Sequence, residues 1–185
     1  RAMATNTILL TKAAGRSRIA DRVRLYRKLR PVAVSSKGDI RESLRNAGKD
    51  TLWIGDDRKM TMDLMEAKAV SSLTNRLGRV VLLFDPDIAA LPALGHCFER
   101  VAFGSGSNGG FLPVEELAEA LAAKNRDNLF IGGAVDTRSG TVTFWRGDLD
   151  SLVVPFSAFP PSGDGMAPDF DNFSVTDYGQ TVRFG

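Results

Sequence analysis

Val80-Val81-Leu82-Leu83-Phe84-Asp85-Pro86-Asp87 is the stretch that decides the fold. Five consecutive apolar residues, two of them β-branched, make a run too short for an ordinary helix, and Asp-Pro-Asp stops it. Apolar continuity without polar alternation marks a strand buried on both faces, as in parallel sheets. Upstream, Met62, Met65, Ala69, Leu73 and Leu77 recur at helical spacing, which predicts a helix over 61–77 closed by Gly78. Downstream, a short helical stretch is expected over 88–94 and a weaker strand over 100–103.

Working outward, the same alternation returns. Thr51-Leu52-Trp53-Ile54 reads as a strand ending at Gly55-Asp56-Asp57. Before it, Asp39 is the expected N-cap of a helix over 40–46, with Gly48 as its stop. Residues 7–11 and 31–35 are two further strands, joined by a helix over 17–29 that ends before Pro31. Its apolar arc is Ile19, Val23, Leu25, Tyr26 and Leu29. An amphipathic helix over 114–123 closes the series. Strands alternating with helices imply right-handed crossovers, hence an α/β domain over 1–126 with a mostly parallel, Rossmann-like sheet flanked by helices.

After residue 126 the helices stop. Residues 129–131, 134–135, 141–145 and 152–156 read as strands, with Ser139-Gly140 as a hairpin turn. A second hairpin is expected from 174–176 and 181–184, beyond a Pro- and Gly-rich loop over 160–168. A small antiparallel β-rich domain over 127–185 accounts for this pattern.

Two segments carry a resemblance to known families. Thr141-Val142-Thr143-Phe144-Trp145-Arg146-Gly147-Asp148, then Leu152-Val153-Val154-Pro155-Phe156 and the Phe159-Pro160 exit, are similar to the bacterial domain of unknown function 2442. Asp169-Phe170, Phe173 and the hairpin through Tyr178-Gly179 to Phe184 fit the rest of that layout. The resemblance covers about 128–185 and brings no catalytic residues with it. Some members of that family are joined to helix-turn-helix domains. By implication this chain could be the non-DNA-reading part of a regulator, and a truncation after Gly185 is compatible with that expectation. Leu82 to Asp87 resembles the acidic strand end of Toprim domains, although Thr11-Lys12 stands where those domains place a glutamate.

Composition narrows the chemistry. The only cysteine, Cys97, adjoins the only histidine, His96, so neither an internal disulfide nor a Cys-rich zinc site can form. Neighbouring residues point apart on a strand or helix, so a buried thiol beside a surface imidazole is expected rather than a nucleophile pair. No apolar run approaches the length of a membrane span, and the cytoplasm is the expected compartment. The net charge of +2 is unevenly spread, since residues 1–50 hold 13 Lys/Arg against four Asp/Glu. That asymmetry points to an anionic partner, nucleic acid or protein, with Arg24, Arg27 and Lys28 as the expected contacts.

In open α/β sheets, ligands sit beyond the carboxyl ends of the strands. The expected ligand or metal edge comprises Ser35, Lys37, Asp56, Asp57, Asp85 and Asp87, whose carboxylates could take Mg²⁺ if they converge. Gly104, Gly106 and Gly109 satisfy a G-x-G-x-x-G string and form a candidate anion loop. Two functions follow. One is a non-catalytic regulatory or interaction module of a DNA-associated regulator. The other is a Mg-dependent phosphoryl-transfer or hydrolytic enzyme with Lys37 on a phosphate.

Overall fold

The computed structural model of the chain describes residues 6–12, 25, 27–104 and 110–185. Two compact units divide it, residues 1–103 and 104–185. This division differs from the expected boundary at 126. The amphipathic helix Val114–Ala122 packs on the β-rich unit instead of closing the α/β one.

In the first unit, β1 (Thr7–Leu10), β2 (Val32–Val34), β3 (Leu52–Gly55), β4 (Leu77–Leu82) and β5 (Phe98–Phe103) form one sheet. Its order is β2-β1-β3-β4-β5 and every pairing is parallel. This is the flavodoxin-like order, in which the chain reverses its direction of progress between β1 and β3. Among the described residues, helices α1 (Lys37–Asn46), α2 (Arg58–Ala69) and α3 (Leu91–Cys97) follow β2, β3 and β4. Strand alternation then sorts the core. Ile8, Leu10, Trp53, Val80 and Leu82 join Ile40 and Leu44 of α1, Met60 and Leu64 of α2 and Leu94 of α3 in one buried cluster. Leu9, Ile54, Val81 and Ala102 occupy alternate positions and are equally buried, as is Leu25. A sheet covered on both faces is what the unbroken apolar runs require.

Several expected boundaries move. The α1 helix begins at Lys37, and Ser36 rather than Asp39 is its N-cap. The Ser36 hydroxyl accepts from the Asp39 N–H, and the Asp39 carboxylate accepts from the Ser36 N–H, closing a capping box. That pairing takes Asp39 into the first turn and holds its carboxyl below the usual range, chiefly through the Ser36 hydroxyl. Helix α2 starts at Arg58 and ends at Ala69, where Val70 N–H and the Ser71 hydroxyl return to backbone carbonyls of the last turn. Its buried face is Met60, Thr61, Leu64 and Met65, while Met62 and Leu73 are exposed. Leu77 and Gly78 belong to β4 and do not close a helix. A Cβ at Gly78 would press on the Lys49 and Thr51 carbonyls, which explains a glycine inside a central strand.

In the second unit, α4 (Val114–Ala122) precedes β6 (Phe130–Asp136), β7 (Thr141–Arg146) and β8 (Ser151–Pro155), an antiparallel sheet in that order. β9 (Phe173–Thr176) and β10 (Thr181–Phe184) form a separate hairpin. Phe144 sits among Phe130, Phe159 and Phe173, with ring centroids 5.3 to 6.3 Å away. These contacts tie the sheet to the hairpin and to the loop after β8.

β8 is an edge strand. Phe156 N–H donates to Gly140 and Arg146 N–H to the Asp150 carbonyl, bracketing the β7–β8 ladder. By alternation Leu152 and Val154 bond to β7, whereas Ser151, Val153 and Pro155 turn their backbone groups to the free edge. Pro155 therefore stands where a missing N–H leaves no ladder bond unmade.

Candidate functional site

The carboxyl ends of β1 and β3, flanking the reversal point, are bridged by backbone. Both Asp56 N–H and Asp57 N–H donate to the Leu10 carbonyl, at 3.0 and 3.3 Å. The Thr11 hydroxyl reaches the Asp56 carboxylate at 3.4 Å. Asp57 turns the other way, since its carboxylate caps α2 by accepting from Met60 N–H at 2.9 Å.

Asp85 and Asp87 belong to a different arrangement. Arg58, at the start of α2, donates to the Asp85 carbonyl at 2.6 Å and lies 4.0 Å from the Asp87 carboxylate. Its guanidinium also sits 5.2 Å from the centre of the Phe84 ring. The Asp-Pro-Asp turn is thus clasped by an arginine. The adjoining recess, lined by Thr61, Met65, Leu82 and Leu94, holds only about 70 Å³. Ligand pockets usually run to roughly 300–1,000 Å³, so the recess has room for little more than water.

Arg58→Ala is expected to cost about 1 kcal/mol, because a half-exposed cation–π contact and one hydrogen bond are lost together. Asp87→Asn should cost less, since Asp87 is 87% exposed and its ion pair is long. Urea denaturation of both variants checks the order, and an Asp87 effect equal to that of Arg58 would contradict the clasp.

The expected edge therefore separates. Ser35 N–H donates to the Asp39 carboxylate at 3.3 Å, so it belongs to the α1 capping region. Lys37 faces α2, 3.7 Å from Asp63. Asp56, Asp57 and the Asp85–Asp87 turn each have their own partners. Among the described residues, no three Asp, Glu, His or Cys side chains are placed to hold one metal ion. Asp is favoured in strand-to-helix turns for its own backbone bonding, and Asp57 here serves that purpose.

Of the candidate anion loop, Gly104 packs beneath Phe111, while Gly106 and Gly109 lie outside the described residues. Arg27 and Lys28 are exposed, and Arg24 lies outside the described residues. Cys97 is buried, which pushes its thiol up, and His96 is exposed, the placement expected of the two neighbours.

A groove lies between α1 and α2, lined by none of the expected edge residues except Lys37. Its volume is about 560 Å³, within the usual range for small-ligand sites. Lys37, Arg41 and Arg45 line one side, and Asp63, Glu66, Val70 and Leu73 the other. The spacing of 37, 41 and 45 was visible as an i, i+4, i+8 row of cations. A helix starting at residue 40 would leave Lys37 outside that row, whereas the observed start at Lys37 brings it in.

No helix of the described residues is long and apolar enough to cross a membrane. Compared with protein-family models, curated proteins and solved structures, the chain matches none.

Proposed function

We propose that the chain is a non-catalytic regulatory or interaction module, the part of a bacterial, cytoplasmic, DNA-associated regulator that does not read bases. One observation carries this reading. The polar groups at the strand ends serve the fold, with Asp57 capping α2 and the Asp85–Asp87 turn clasped by Arg58. The alternative, a Mg-dependent phosphoryl-transfer enzyme, draws no support from a cluster of three or more Asp, Glu, His or Cys side chains among the described residues.

Two further features support the module. The excess of cations in the first 50 residues includes the exposed Arg27 and Lys28. Such side chains contact phosphates in proteins that follow a nucleic-acid backbone without reading sequence. The resemblance of 128–185 to the bacterial domain of unknown function 2442, some members of which are joined to helix-turn-helix domains, supports the same reading for the β-rich unit.

The test is fluorescence anisotropy with a labelled duplex, comparing the chain with its Arg24→Ala/Arg27→Ala/Lys28→Ala variant. Three phosphate contacts give a salt slope near −0.9 each, so raising salt from about 50 to about 200 mM should weaken binding roughly 40-fold. The variant should bind weakly and lose most of that slope. Equal, poor binding by both proteins at the lower salt would overturn the polyanion contact.

A further inference from the structure

We propose that the groove between α1 and α2 binds a small organic anion that carries one carboxylate or phosphate head on an apolar body. The inference rests on the reading of the chain as a ligand-receiving module, and it names where the ligand enters and what kind it is.

The groove is amphiphilic. Leu44, Ala67, Val70 and Leu73 supply apolar lining, and Val70 and Leu73 remain 88% and 40% exposed. The cations of α1 are not equivalent. Lys37 is engaged by Asp63, which also accepts from Lys59 at 2.8 Å. Those two lysines, Lys59 first, hold the Asp63 carboxyl below its usual range, so this end stays ion-paired at neutral pH. The Arg41 and Arg45 guanidinium groups form no hydrogen bond or ion pair among the described residues. They stand one helical turn apart, which brings their side chains to about 5–6 Å at Cβ. Two guanidinium forks at that spacing suit a single planar carboxylate or a phosphate.

Glu66 lines the same groove and sets a limit. An anionic group placed at the far side would meet its carboxylate, so the body of the ligand should be uncharged. The volume also favours a compound of small-molecule size over a folded partner. The site is thus cationic at the Arg41–Arg45 end, apolar along Val70 and Leu73, and closed to further anions by Glu66.

Octanoate and octyl phosphate are the probes, titrated into the ¹⁵N-labelled full chain and followed by amide and arginine Nε shifts. Both should saturate, with shifts confined to α1, α2 and residues 71–73. Arg41→Gln/Arg45→Gln should weaken both at least about tenfold, as should Val70→Asp/Leu73→Asp. Octanol, which lacks the head, and inorganic phosphate, which lacks the body, should each bind at least about tenfold more weakly than octanoate. All four substituted positions are exposed, and unchanged spectra outside the groove show that each variant is folded. The proposal is overturned if neither amphiphile saturates below about 10 mM, or if the arginine variant binds them as well as the parent. It is also overturned if an acidic amphipathic peptide occupies the groove while both amphiphiles do not. The duplex titration uses other residues and another probe, so failure of the module reading is distinguishable from failure here.

Discussion

Trp53→Ala is expected to destabilise the α/β unit by about 3–5 kcal/mol, the usual cost of deleting a large buried aromatic ring. Trp53 is 0% exposed at the middle of β3, the central strand of the sheet. Its ring meets Phe98 edge-on with centroids 6.5 Å apart, and its cluster reaches α1, α2 and α3. The indole N–H is buried and meets no acceptor among the described residues, a defect that opposes the favourable packing. Trp53→Phe should therefore cost only about 1–2 kcal/mol, since it removes the unpaired donor along with part of the ring. Urea denaturation followed by circular dichroism checks both. A loss below that range for alanine would mean that the ring is less tightly enclosed than the structure shows.

Gly179→Ala is expected to cost the β-rich unit about 3 kcal/mol, from two sources. Gly179 has φ +86°, a conformation that costs an alanine roughly 1–2 kcal/mol. An added Cβ would also press on the Phe130 backbone, meeting its nitrogen at 3.0 Å and its carbonyl carbon at 3.1 Å. Backbone cannot step aside as a side chain can, so overpacking adds about 1–3 kcal/mol. Asp177 and Tyr178 also have positive φ, and Tyr178 N–H is caught by the Glu116 carboxylate of α4 at 3.0 Å. The turn is thus held from two sides. Gly163→Ala is the control, because nothing lies within 4 Å of the added carbon and its φ is not positive. There alanine should be neutral or stabilise by up to about 1 kcal/mol, by restricting the unfolded chain. Equal effects at positions 179 and 163 would remove the steric argument.

The strands were legible because their signal is local. Val80, Val81 and Leu82 form an unbroken apolar run, and a run of that kind can only be buried on both faces. Helix limits were less legible because caps compete over one turn. Ser36 and Asp39 are both good N-cap residues, and only the reciprocal hydrogen bonds decide between them. Leu77 fits the helical repeat of α2 as well as it fits β4, and the choice depends on pairing with Phe98, a residue distant in sequence. The site suffered for the same reason. Asp57, Asp85 and Asp87 look alike in sequence, and nothing local reveals that Arg58 clasps the latter two or that Asp57 faces Met60. The groove needed the relative placement of two helices, which no run of residues encodes.

The chain has two tryptophans, and the fold assigns one to each compact unit. Trp53 is enclosed in the first and Trp145, beside Phe111, in the second. Each unit therefore carries its own optical reporter. In Trp145→Phe the tryptophan emission follows the α/β unit alone, and in Trp53→Phe it follows the β-rich unit alone. Emission that shifts at two different denaturant concentrations would mean two separate melting events within one polypeptide. A single shared midpoint would mean that the units lose their structure as one.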